Sequence, residues 1–236
     1  MKTSNKVMLG LTVASIAGKI IDNLILPNNV KKNTQTSFNL HRDKPVIDPT
    51  AFVHPVASII GKVNIGKTVF VGPFASIRGD EGLRIHISNE TNIQDGVVLH
   101  GLKNFDYTSV LFENAVYHNG EAYSIYINEK VSLAHQCQIH GPVKIDKNVF
   151  VGMQSFIFDS NINENVVIEP CARVIGVTIP SNRYVAAGKI VTSQEEADQL
   201  PEITPEYRYA NFNKKVVDVN TELARGYNGD KSNGNN

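Results

Sequence analysis

The chain of 236 residues contains no tryptophan, three methionines and only two cysteines. Two thiols exclude a disulfide-dense scaffold and a zinc site built mainly of thiolates, so any metal would be held by histidine or carboxylate. Net charge is also missing, because 23 basic side chains face 23 acidic ones. With no basic surplus and no local basic patch there is no field to neutralise a phosphate backbone, and a nucleic-acid partner is not expected. No apolar run is long enough to cross a bilayer, so no stable span is expected in the mature chain. The run Val7 to Gly18 follows a basic start (MKTSNK), has the length of a signal-peptide hydrophobic region, and places Ser15 and Ala17 at the small-residue positions before a cut. That pattern predicts export to a periplasmic, extracellular or cell-surface location. Apolar residues resume at Ile20, Ile21, Leu24, Ile25 and Leu26, which fits an amphipathic helix and a cytoplasmic protein instead. The polar stretch Pro27 to Ser37 sets residues 1–39 apart as a leader or tether, and the folded body is expected from Leu40.

With 42% hydrophobic content the chain can bury one sizeable core, and what organises that content is a period. An aliphatic residue returns every sixth position at Ile47, Val53, Ile59, Ile65, Val71 and Ile77, then at Ile87, Ile93 and Leu99. The series resumes at Ile127, Leu133, Ile139, Ile145, Val151 and Ile157, then at Ile162, Ile168 and Val174, and ends at Ile179, Val185 and Val191. A helix repeats near 3.6 residues and a half-buried strand at 2; a period of six with Gly, Asn, Asp or Pro between suits short strands joined by tight corners. The expected fold is therefore mainly β, a parallel β-helix of hexapeptide repeats over residues 40–192. Three sides would make a coil of about 18 residues, with coils stacked about 4.8 Å apart. Residues 101–124 lack the repeat and are expected to protrude as a loop beside His100. Ser193 to Glu196 reads as a capping box opening a short helix that Pro201 closes, and Thr204-Pro205 opens a second. Val216, Val219 and Leu223 would form an apolar stripe laid along the prism, so residues 193–228 are assigned to C-terminal helices and 229–236 to a disordered tail.

Of seven histidines, His41, His54, His86 and His118 have no companions and read as surface or turn residues. His100 and His140 each follow an inward aliphatic, Leu99 and Ile139, by one position, so they share a phase. If the loop replaces one six-residue step, three sides separate them, and they stack on adjacent coils of one face at chelating distance. His135 lies one side earlier and cannot easily join them within one chain. A threefold homotrimer resolves this: a neighbour presents its His135 to the His100/His140 pair, giving three imidazoles and one open position, as in catalytic zinc. Iron(II) or cobalt(II) suits the same ligands.

The segments RGDEG at Arg78 to Gly82, NIQDGVVLHGL at Asn92 to Leu102 and SLAHQCQIHGP at Ser132 to Pro142 resemble gamma-class carbonic anhydrases. The resemblance continues through VFVGMQSFIF from Val149, VIGVTIPSNRYVAAGKIVTSQEEADQLPE up to Glu202, and VDVN at Val217 to Asn220. It implies a left-handed β-helix trimer with an interfacial metal bound by His100 and His140 of one subunit and His135 of the next. It also implies reversible hydration of carbon dioxide to bicarbonate by a metal-bound hydroxide. Carried over residue by residue, Gln94 would contact the bound water, Asn92 would orient Gln94, Glu81 would accept or relay the proton, and Asn220 would help hold carbon dioxide or bicarbonate. Arg78 and Asp95 resemble the family's intersubunit ion pair.

The chain departs from the family's pattern in the loop, where the position of an external proton-shuttling glutamate is Lys103, leaving Asp106, Glu113 and Glu121 as the only loop acids. Asp218 also replaces an expected aromatic. Cys137, two positions before Ile139, takes a different phase from His140 and reads as a small packed residue, not a fourth ligand. It lies 34 residues from Cys171, close to two coils and beyond disulfide reach. The hexapeptide repeat is shared with acyltransferases and thioesterases, and a catalytically inactive trimeric scaffold is the third alternative.

Overall fold

The structure, a computed structural model, describes residues 29–233; the leader reading of residues 7–18 lies outside them. Short parallel strands wind into a three-sided β-helix. The first face stacks Ser58–Gly61, Ser76–Gly79 and Val98–His100 beneath Gln138–Ile145 and Phe156–Ile162, two strands that turn the corner onto the second face. The third face stacks seven two-residue strands from Phe52–Val53 to Tyr184–Val185. Registers run Ile59 to Ile77, Ile77 to Leu99, Leu99 to Ile139 and Ile139 to Ile157, so each six-residue aliphatic rests on its counterpart one coil away.

One continuous core fills the prism. It holds more than the six-residue series, because the residue two positions earlier also points inward: Val63, Val69, Val97, Val131 and Cys137 are fully buried. Each such aliphatic contributes roughly 1.5–3 kcal/mol of burial. Burial also pushes the Cys137 thiol well above its ordinary pKa, and both cysteines are free.

The coil turns through two regular corners and one that carries insertions. Between the second and third faces Glu90, Lys130, Asn148, Asn165 and Asn182 take left-handed φ; between the third and first faces Phe74, Gln136, Gln154 and Cys171 do so. We call these the Asn corner and the Gln corner. Backbone hydrogen bonds stack the Gln corner in order, Gly96 N to Pro73 O, Gln136 N to Asp95 O, and Gln154 N to His135 O. The third corner, between the first and second faces, admits the RGDEG segment and residues 101–124. The latter fold as two small antiparallel hairpins, Phe105–Asp106 with Ser109–Val110 and Val116–His118 with Glu121–Ile127, the last strand rejoining the second face.

Four expectations at the ends are corrected. Residues 29–39 are not a tether: Val30–Lys31 adds a parallel strand beneath Ser58–Gly61, and Asn33 and Asn39 are buried. Thr204-Pro205 opens successive turns and no helix, because Tyr207 stacks on Tyr184 with ring centroids 4.1 Å apart and donates to Glu169 Oε1 at 2.7 Å. That burial, followed by the neighbouring carboxylate, raises the Tyr207 pKa. Helix α1 (Gln194–Asp198) is capped by Ser193 Oγ, which accepts from Glu196 N. The long helix α2 (Phe212–Asn233) lies on the third face and continues through residues assigned to a disordered tail; Asn228 Nδ2 donates to Thr50 O at 2.9 Å near its end. Its buried residues are Asn213, Val217, Asn220, Thr221 and Ala224, whereas Val219 and Leu223 of the expected stripe are exposed.

Candidate metal centre

Strand alternation builds the centre. In Val98–His100 and Gln138–Ile145 the side chains of Leu99 and Ile139 point into the core, so His100 and His140 point out. The two histidines are register partners, with ring centroids 5.3 Å apart. Their column continues down to Arg78 and up to Phe158, whose ring meets His140 edge-on at 5.3 Å. The loop therefore occupies one step of the prism, as the count of sides requires.

The imidazoles are prepared to coordinate. His140 Nδ1 lies 3.1 Å from Gly141 O; a carbonyl only accepts, so Nδ1 carries the proton and Nε2 is left with its lone pair. His100 Nε2 is buried and makes no hydrogen bond, although Glu81 Oε1 stands 3.0 Å away. A buried, unpaired ring nitrogen beside a carboxylate and a second free imidazole nitrogen is the donor set a divalent cation satisfies. Two imidazoles do not complete a site, and among the described residues no group of three metal-ligating side chains converges.

The other expected residues fall on the Gln corner and the adjoining third face. Gln94 Nε2 donates to Asn92 Oδ1 at 2.9 Å, and Asn92 Nδ2 donates to Ser132 Oγ at 2.8 Å. All three are buried, and the relay leaves the Gln94 carbonyl free to accept. His135 and Asp95 stack on the corner itself, Nδ1 to Oδ2 3.6 Å apart, with both side chains 52% exposed. Asn220 is buried on α2, where its Nδ2 donates to Val216 O. The expected residues thus fall into two groups: His100, His140 and Arg78 on the first face with Glu81 just beyond it, and His135, Gln94, Asn92 and Asp95 at or beside the Gln corner.

Arg78 and Asp95 do not meet within one chain; Arg78 Nε pairs with Asp80 Oδ2 at 3.3 Å. Lys103 Nζ is 3.0 Å from Asp106 Oδ1 and lies over the Phe38 ring. Glu121 accepts from Tyr123 OH, Glu113 is exposed, and Asp218 pairs with Lys214 on the exposed side of α2. Asn39, Asn104, Ser132 and Phe158 were not anticipated from sequence. Ser132 and Phe158 follow from the six-residue register once it is drawn; the two asparagines carry no sequence signal.

No protein-family model matches the chain. It is 49% identical over 201 residues to a carbonic anhydrase of Methanosarcina thermophila, covering 85% of this chain and 81% of that one. It is 38% identical over 181 residues to a carboxysome assembly protein, CcmM, of Nostoc, covering 77% of this chain but 31% of the relative. A hexapeptide transferase family protein from Anaplasma phagocytophilum superposes with a TM-score of 0.59 at 24% identity, over 78% of this chain and 93% of that one; it shares the fold.

Proposed function

Because this chain belongs to the gamma class of carbonic anhydrases, we propose that it hydrates carbon dioxide reversibly at centres shared between the subunits of a homotrimer. The observation that carries this reading is the division of the site: two register-paired imidazoles on the first face, and His135 exposed on the Gln corner of the same chain. A threefold arrangement would set the corner of one subunit against the first face of the next. His100 and His140 of one chain and His135 of another would then hold the ion, zinc being the first choice and iron(II) or cobalt(II) suiting the same imidazoles. When bound, such an ion lowers the pKa of a coordinated water into the neutral range, the long-established behaviour of carbonic anhydrase zinc and not a quantity taken from this structure.

The chain's own residues do the rest. Gly141 O fixes the His140 tautomer. Glu81 Oε1, beside His100, accepts the proton released in hydration and passes it outward. Ser132 and Asn92 hold the Gln94 amide with its carbonyl free to accept from water or bicarbonate. Phe158 supplies an apolar wall against which carbon dioxide loses little, and Asn220 offers its second N–H to the substrate. Arg78 and Asp95 would pair across the interface. Lys103 stands where the family's shuttling glutamate is expected and pairs with Asp106, so turnover should depend steeply on buffer. The segment Val7 to Gly18 is read as an export signal, which the N-terminus of the mature chain isolated from its source cell would test.

The decisive experiment is complementation. His135→Ala and His140→Ala chains, each inactive alone after zinc reconstitution, are unfolded, mixed in equal amounts and refolded. If sites are shared, about one quarter of them recover an intact face and an intact corner, and stopped-flow hydration returns in proportion. No recovery in refolded samples shown to contain mixed trimers would overturn the shared centre.

A further inference from the structure

Glu81 has one side-chain partner among the described residues, His100 Nε2 at 3.0 Å. A carboxylate without lateral support is aimed by its backbone, and the backbone here is held from outside the coil. Asn39, 4% exposed, donates from Nδ2 to Asp80 O and accepts at Oδ1 from Gly82 N at 3.1 Å. Those two groups belong to the peptide units on either side of the Glu81 Cα. Glu81 O in turn accepts from Asn104 N at 3.2 Å, and Asn104 Oδ1 accepts from Leu83 N. Only glycine fits the corner so gripped: Gly82 has φ 112°, and a Cβ there would lie 2.7 Å from Asn104 Oδ1.

Asn39 is itself fixed. Thr36 Oγ1 accepts from Asn39 N at 3.0 Å, and Thr36 N donates to Asn39 O at 3.0 Å. The same turn reaches the protruding loop, where Tyr107 N donates to Ser37 O at 3.0 Å. We propose that Asn39 is a positioning residue for Glu81, gripping the peptide groups that flank it so that the carboxylate meets His100. The N-terminal arm is then part of the active centre. The proposal rests on the reading of Glu81 as the proton-handling carboxylate.

The test uses the full chain reconstituted with zinc, as wild type, Asn39→Ala, Asn39→Asp, Glu81→Ala and the Asn39→Ala/Glu81→Ala pair. Carbon dioxide hydration is read as kcat and KM, and amide hydrogen exchange is read at Gly82. Asn39→Ala should keep its metal, speed Gly82 exchange at least about tenfold, and lower kcat about tenfold with KM little changed, the scale of effect expected from a small misplacement. Asn39→Asp keeps the acceptor for Gly82 N but loses the donor to Asp80 O, and should fall between. In the Glu81→Ala background the Asn39 substitution should change kcat less than about twofold, because the group it positions is gone. Equal losses in both backgrounds would overturn the proposal, as would an unchanged kcat with faster Gly82 exchange. Wild type inactive with zinc bound would sink the hydration reading instead, leaving the grip to stand or fall on Gly82 exchange.

Discussion

The Asn corner and the Gln corner turn the same chain through the same left-handed φ, yet they meet their surroundings differently. At the Asn corner, amides satisfy one another: Asn213 Nδ2 donates to Asn148 Oδ1, Asn148 to Asn165, and Asn165 to Asn182, at 2.9, 2.9 and 3.1 Å. The edge is finished within the chain. The Gln corner has one such amide bond, Gln154 to Gln136, and otherwise leaves apolar bodies in water: Val56 is 48% exposed, Phe74 74% and Met153 42%. His135 and Asp95 lie on that edge. A phenylalanine in left-handed backbone on open surface costs conformational energy and gains nothing in a monomer. Backbone geometry is therefore indifferent to the role of a corner; the side chains close one edge within the chain and leave the other open, the edge that the proposed trimer would cover.

The comparison can be broken at four points. His135→Ala should reduce hydration at least about a thousandfold by removing the proposed third ligand, while circular dichroism stays unchanged. Phe74→Asp should weaken each interface by about 2 kcal/mol or more, seen as dissociation in sedimentation at micromolar chain; a stable trimer would remove this corner from the interface. Asn165→Ala should cost about 1–2 kcal/mol in denaturant unfolding, from left-handed strain and two lost amide bonds, with Asn165→Gly recovering the strain part. Asp48, at the foot of the Asn corner, gives the smallest effect. Hydrogen bonds from the Thr50 hydroxyl and then the Thr50 amide hold its carboxyl below the ordinary value of 3.8. A carboxyl depressed in the fold stabilises above its unfolded pKa, and that contribution is lost as pH falls through 3.8 toward the folded value. Asp48→Asn should remove this contribution, lowering stability slightly at neutral pH and flattening the acid limb, as read by denaturant unfolding across the acid range.

The coil was legible because a prism core demands the same residue type at the same interval, and the phase of His100 and His140 could be counted in the same units. His135 fell on the wrong side of that count, which is how a second chain entered the reading. The arm and the final helix were not legible for one reason. Asn33, Asn39, Asn213 and Asn220 are buried polar residues, and a polar residue is buried only where a particular carbonyl or amide awaits it. Hydrophobic periodicity carries no such information. It selected Val219 and Leu223 on α2, whereas the prism takes Val217 and Ala224 with three amides and hydroxyls between and beside them.

The bond from Asn228 to Thr50 joins residues 178 apart, whereas most coil contacts join residues one turn away. A stack of coils alone behaves as a line of neighbours and frays from its ends. α2 runs back along that line, from Phe212 against Phe150 to Tyr227 stacked on Phe52, so a late coil cannot loosen without loosening an early one. The helix makes unfolding cooperative over the whole prism: the intact chain should melt in one sharp transition, and a chain ending at residue 211 in a broad one.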